Sequence, residues 1–220
     1  MTRLEMRTIF RAECPEITSN VVSDTILNTW ALTADKEVSA RARLIVDDES
    51  WAATADVSEY DLTQRIDNFY DIDEFPGGGV IFDGKRLKKL SMAELDKKRP
   101  NWRSAESGVP VDYFRRGKYL YLGTPPEEAD TIQVYCVKIS EDFDQDSVAP
   151  FNELTHLEPF HYSIVLYMIM RAKAKVGKPE DAAKARAEYE SFIAWIKKEI
   201  GGGKYGIMSY TPPRRQAHSW

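Results

Sequence analysis

"VDYFRRGKYLYLGTPPEEADTIQVYCV", residues 111–137, holds three runs of aromatic and aliphatic residues. The first two flank Arg116-Gly117, a proline pair follows at Pro125 and Pro126, and the third run begins at Thr131. Such residues suit a pleated, half-buried surface, so the stretch predicts a hairpin and then a further strand. Tyr113, Tyr119 and Tyr121 recur through the hairpin with no catalytic group beside them.

On the N-terminal side the pattern stays strand-like. "SWAATADVSEYDLT", residues 50–63, reads as short strands joined by a turn near Ser58 and Glu59. "GGGVIFDGKRLKKL", residues 77–90, places Asp83-Gly84 between two runs, and Asp-Gly suits a tight hairpin because both central residues of that turn need positive φ. Ser91 and Glu94 stand at capping-box spacing at the head of a short helix.

Both ends of the chain read as helical. Thr2 to Ala12 suits a short helix that Pro15 stops. Val22, Ile26 and Trp30 repeat every four positions in a second helix, capped by Ser23 or Asp24, with a joint expected at Thr33 to Asp35. Towards the other end, Phe160, Ile164, Tyr167 and Met168 form one helix face, and Ala185, Tyr189, Phe192, Ile193, Ile196 and Ile200 form another. "VGKPED", residues 176–181, is a connection short enough to make these two helices an antiparallel hairpin.

The expected class is therefore α+β: an antiparallel helical bundle made from the N- and C-terminal helices, with an inserted antiparallel β-rich domain and an extended C-terminal tail. The divisions are 1–47 and 151–200 for the bundle, 48–150 for the insert and 201–220 for the tail. Gly201, Gly202 and Gly203 should end the last helix, since glycine lacks the side chain that favours helix. The tail carries Tyr205, Ile207, Met208, Tyr210, Arg214, Arg215 and Trp220, too much apolar and aromatic material for an indifferent solvated end.

A chain of 220 residues that is 43% hydrophobic can bury one large core or two small ones. Its net charge of −5 argues against a general nucleic-acid binder, which needs a surplus of Lys and Arg to neutralise phosphates. Cys14 and Cys136 lie far apart with no metal-ligand spacing, so free thiols in a reducing compartment are expected. The N-terminus interrupts its apolar residues with charge, unlike a secretory signal, and "IVLYMIM", residues 164–170, is too short to span a bilayer; a cytoplasmic protein with no membrane partner is expected.

Candidate chemistry is sparse. "PGGGV", residues 76–80, lacks the Lys and Ser or Thr of a phosphate loop, and reads as a loop entering a strand. His156 and His161 are spaced five apart, on different sides of a helix, and are expected as a helix-entry residue and a partly buried or interface one; His218 lies in the tail. Asp67, Asp71, Asp73 and Glu74 do not follow the alternation of a calcium loop and read as a solvated or interface loop. No serine sits in a nucleophile elbow, so no catalytic residue, cofactor or metal is expected. The aromatics Trp51, Tyr60, Trp102, Tyr113, Tyr119, Tyr121 and Tyr135 read as packing and contact residues; a stacking platform for sugars or bases is the alternative.

In order, "VSEYDL" (57–62), "VIFDGKRL" (80–87), "LSMAELDKKRPNW" (90–102), "GVPVDYFRRGKYLYLGTPP" (108–126) and "TIQVYCV" (131–137), followed by a helical hairpin, resemble the head-to-tail adaptor (connector) proteins of tailed bacteriophages. The resemblance covers roughly residues 20–200 and departs from the family's pattern at Thr63, where a proline is usual, and at Cys136, where a tyrosine is common.

This resemblance implies a structural virion protein of the neck, made in the host cytoplasm. Copies would form a homo-oligomeric ring, usually a dodecamer, below the portal protein. That ring would extend the channel through which double-stranded DNA passes without specific binding, and support tail or nozzle proteins. On this reading the tail residues named above form a portal-binding arm, and Tyr113, Tyr119 and Tyr121 face a neighbouring subunit or tail component. The alternatives are another phage neck or tail completion protein, and a ligand-binding module or cryptic hydrolase.

Overall fold

In the computed structural model, residues 1–74, 77–102 and 106–201 are described. The first helix, α1 (Arg3–Glu13), starts at a capping box: the Thr2 hydroxyl accepts the Glu5 N–H at 3.3 Å and the Glu5 carboxylate accepts the Thr2 N–H at 2.8 Å. Ser23 caps α2 (Asp24–Ala42) by accepting the Ile26 N–H. No joint divides α2. Thr33 donates its hydroxyl to the Thr29 carbonyl one turn back at 2.8 Å, and Asp35 accepts the Phe151 N–H at 2.9 Å, so the polar residues that suggested a break are satisfied without one. The helix ends in the left-handed residue Arg43, at φ 55°.

At the other end of the chain α4 (Tyr162–Lys175) and α5 (Pro179–Gly201) pack on each other, with Gly177 at φ 72° in the connection and Pro179 opening α5, where its missing N–H costs nothing. Helix α2 packs on α4 and α5, and α1 on α4. One hydrophobic cluster joins all four helices through Met6, Phe10, Leu27, Ala31, Ile164 and Tyr189. Phe143 and Phe151, from the segment that returns to α4, are buried in the same cluster.

Nine strands lie between α2 and α4 among the described residues. They are β1 (Ile45–Ala52), β2 (Glu59–Asp61), β3 (Phe69–Ile72), β4 (Val80–Phe82), β5 (Lys85–Arg86), β6 (Lys88–Lys89), β7 (Asp112–Arg116), β8 (Tyr119–Leu122) and β9 (Thr131–Lys138). One sheet has the order β1-β9-β4-β5, with β3 also paired to β9; the second has the order β2-β8-β7-β6. Tyr60, Tyr113, Leu120 and Leu122 from the second sheet meet Val80, Phe82, Ile132, Val134 and Cys136 from the first in a single cluster, so the two sheets pack face to face.

Local signals set most of this. Asp83 at φ 46° and Gly84 at φ 70° make the expected two-residue hairpin between β4 and β5, and Gly117 at φ 59° turns β7 into β8. The turn expected near Ser58 and Glu59 lies earlier, because Glu59 already pairs with Tyr121; the Tyr60 hydroxyl fixes the preceding loop by donating to the Val57 carbonyl at 2.8 Å. One pair is not antiparallel: β6 runs parallel to β7. The connection between them passes through α3 (Met92–Lys98), a crossover that brings the chain back in the same direction.

Candidate assembly surfaces

Hairpin β7–β8 alternates its faces. Tyr113, Leu120 and Leu122 point into the core between the sheets, while Phe114 and Tyr121 stack on the opposite face with centroids 4.6 Å apart. Trp102 meets both rings edge-on, at 5.1 and 6.2 Å, and donates its indole N–H to Asp96 at 2.8 Å. Leu90 and Leu95 complete a small cluster that fastens α3 over this outer face.

The three tyrosines expected at an interface are thus placed differently. Tyr113 is 2% exposed and offers almost no surface; burial pushes its hydroxyl up to about 12. Tyr119 and Tyr121 are half-buried neighbours with ring centroids 6.3 Å apart, and the Lys118 ammonium lies 5.0 Å from the Tyr119 ring. Tyr60 and Trp102 are buried, whereas Trp51 and Tyr135 are half-buried. The large side chains left most exposed include Val109 and Val111 beside β7, Tyr70 on β3 and Trp195 on α5.

Beneath the hairpin, the carboxylate of Asp112 is buried and takes Lys98 at 3.0 Å and Arg99 at 3.4 Å. Gly123 sits against it so closely that a Cβ there would lie 3.2 Å from Leu95 and 3.3 Å from the Asp112 Cβ. Asp71, from the acidic stretch, ties three elements together: it pairs with Arg43 at the end of α2 at 2.8 Å and contacts Arg115 on β7. Arg43 also donates to the Ile72 carbonyl at 2.8 Å, so this acidic loop is a structural tie, and Asp73 in it is buried. Asp67 stays exposed, and Glu74 pairs with Lys89.

A second tie joins α2 to the segment before α4. Phe151, Asn152 and Glu153 are three consecutive left-handed residues, each at φ 56°. Asp35 accepts the Phe151 N–H at 2.9 Å, and the Asn152 side-chain oxygen accepts the Glu141 N–H at 2.8 Å. Burial pushes the Asp35 carboxyl up to about 7.

His161 is fully buried, not partly, with its Nδ1 2.8 Å from the Met1 ammonium and its ring 5.6 Å from Phe151. Desolvation, then the nearby ammonium, pulls it down to about 4. His156 is exposed, and His218 lies outside the described residues. Cys14 and Cys136 are free and buried, and desolvation raises both thiols, Cys136 to about 12, which keeps them protonated and poor nucleophiles.

Among the described residues no group of three or more His, Cys, Asp or Glu is placed to hold a metal ion, and no helix is long and apolar enough to cross a membrane. An open cleft of about 660 Å³ runs between α2, α4 and α5, lined by Tyr167, Met170, Arg171, Arg186, Tyr189 and Glu190. Its carboxylate Glu190 is held below its usual range by Arg41, at 2.5 Å, so it is an ion-pair partner and not a proton acceptor poised near neutrality. The sequence-predicted arm residues Tyr205, Ile207, Met208, Tyr210, Arg214, Arg215 and Trp220 lie outside the described residues.

The geometry supplies surfaces and ties, with the hairpin aromatics locked under α3. A search of the curated proteins finds no match. The family model described as SU10 adaptor protein matches residues 1–206, which takes in the first twenty residues as well as both helical ends and all nine strands. The chain belongs to the SU10 adaptor protein family, a family of phage structural adaptors.

Proposed function

We propose that this protein is the head-to-tail adaptor of its phage particle, assembling as a homo-oligomeric ring, a dodecamer by family analogy, between the portal and the tail or nozzle proteins. The observation that carries the reading is the family match over residues 1–206 of the chain. Membership of a structural adaptor family and a fold rich in half-buried aromatics both support it, because a protein that works by contact spends its surface on neighbours.

On this reading the helices of 1–47 and 151–200 form one bundle and the β-rich part, 48–150, is an insert that faces neighbours, with Tyr119 and Tyr121 at a subunit or tail contact. The acidic chain, at net charge −5, suits a channel wall past which double-stranded DNA slides without sticking. The tail is the portal-binding arm: Tyr205, Ile207, Met208, Tyr210 and Trp220 supply apolar anchors, Pro212 and Pro213 stiffen it, and Arg214 and Arg215 add charge. The neck of the virion is then its location, reached after synthesis in the host cytoplasm.

A phage carrying a stop codon in this gene tests the reading. It should yield DNA-filled heads with no attached tails, and the protein supplied in trans should restore attachment. A chain ending at Gly203 should fail to restore it; restoration by that chain would remove the arm, and tailed particles from the stop-codon phage would remove the adaptor reading.

A further inference from the structure

The chain crosses between the two sheets at both edges, and the two edges are oppositely charged. One edge is residues 45–61, where β1 of the first sheet leads directly into β2 of the second; it holds six Asp or Glu and no Lys or Arg. The other is residues 85–89, where β5 of the first sheet leads through Leu87 into β6 of the second; four of its five residues are Lys or Arg. Among the described residues β1 pairs only with β9, β2 only with β8, β5 only with β4 and β6 only with β7, so both edges are open.

Internal partners neutralise these edges only in part. Lys138 reaches Asp47 and Glu49, at 2.7 and 2.8 Å, and Lys118 reaches Asp61 at 2.6 Å. Asp48, Asp56 and Glu59 are exposed and have no Lys or Arg partner among the described residues. On the basic edge Lys89 pairs with Glu74 at 2.5 Å, Lys85 lies 4.0 Å from Asp83, and Lys88 has no carboxylate partner among the described residues. Leu87, 4% exposed, pins the basic segment by burying its side chain in the core between the sheets.

Charged residues protect an open edge from unwanted pairing, and charges of either sign, or both signs mixed, would do that. Segregation of the two signs onto opposite edges does something more. Acidic edges repel one another and basic edges repel one another, so two copies are steered to meet acidic edge to basic edge. That contact is heterologous, one surface meeting a different one, which leaves a free acidic edge and a free basic edge at the ends and closes only as a ring.

We propose that the acidic edge, residues 45–61, of one copy of this chain docks against the basic edge, residues 85–89, of the next copy. This rests on the ring reading above and names the surface that builds the ring.

Two charge-reversed proteins test it. Asp48→Lys with Asp56→Lys and Glu59→Lys makes both edges basic, because Lys138 and Lys118 already offset most of the charge of Asp47, Glu49 and Asp61; Lys85→Glu with Arg86→Glu and Lys88→Glu makes both acidic, because the remaining Lys89 is paired with Glu74. All six residues are exposed, so matching thermal midpoints with the unaltered protein should show that each variant folds. Particle mass is read by light scattering, alone and on portal rings. Each variant by itself should need at least tenfold higher concentration to assemble, and an equal mixture of the two should recover assembly, since every contact again joins opposite charges. Assembly of either variant as efficient as that of the unaltered protein, or a mixture no better than its components, overturns the edge contact. An unaltered protein that stays a monomer alone and on portal rings overturns the ring reading, and the edge contact with it.

Discussion

Asp35, in the middle of α2, accepts the backbone N–H of Phe151 at 2.9 Å, and through it the N-terminal helices hold the turn that leads into the last two. The bond joins positions 116 residues apart, inside the cluster that buries Phe151 completely. The left-handed turn it anchors is held in addition by the Asn152 side-chain oxygen, which accepts the Glu141 N–H just beyond the end of β9.

This tie makes stability depend on pH in a way two variants can separate. The folded protein keeps the Asp35 proton up to about pH 7 while the unfolded chain loses it near 3.8. The folded state therefore binds more protons across that interval, and this group removes stability as pH rises through it. His161 acts oppositely: its folded value is about 4 against 6.5 unfolded, so it removes stability as pH falls from 6.5 towards 4. Asp35→Asn, which keeps an acceptor for Phe151, should gain on the order of 2–4 kcal/mol over the unaltered protein at pH 8 and much less at pH 4. His161→Gln should gain at pH 4.5 and not at pH 8. Thermal melts of the three proteins from pH 4 to 8 check both signs.

The left-handed turn supplies a second expectation. Three consecutive residues without glycine at φ 56° cost roughly 1–2 kcal/mol each. Glu153 is exposed, so Glu153→Gly should stabilise by about 1 kcal/mol. Asn152→Ala should destabilise by about 2 kcal/mol, because it removes the acceptor of the Glu141 N–H and puts a less tolerant residue in the same conformation. Urea unfolding of the two variants should shift the midpoint in opposite directions.

The hold of α3 on the hairpin is equally open to test. Trp102→Ala empties the space beside Phe114 and Tyr121 and should cost about 3–5 kcal/mol. Gly123→Ala adds a Cβ within 3.3 Å of Asp112 and 3.2 Å of Leu95, and should cost about 1–3 kcal/mol through overpacking. Hydrogen exchange should show both losses concentrated in α3, β7 and β8, leaving α4 and α5 protected.

What the sequence disclosed and what it concealed divide along the range of the interactions. The Asp83-Gly84 hairpin and the Ser91 capping box are decided by a few adjacent residues, and both stand where their local chemistry puts them, whereas α5 already starts at Pro179, inside the stretch read as the connection. Helix α2 hid its continuity because Thr33 satisfies its hydroxyl against its own helix, which composition does not reveal. The direction of Tyr113 depended on register: it faces the core because it pairs with Leu122, whereas Phe114 pairs with Tyr121 on the other face. Asp35 gave no signal at all, since its partner is a backbone N–H far along the chain. The acidic run of 45–61 and the basic run of 85–89 were visible as charge, but only the strand order makes them opposite edges of the same two sheets.

As a head-to-tail adaptor, this chain should join a portal ring in a fixed subunit ratio. Light scattering on the purified protein, alone and mixed with the portal ring of the same phage, measures that ratio. The expected result is a complex of defined mass whose excess over the portal corresponds to a whole ring of 25.2 kDa subunits, whether or not the free protein is monomeric. Two unchanged species at every mixing ratio would contradict it and move the protein to another position in the neck or tail.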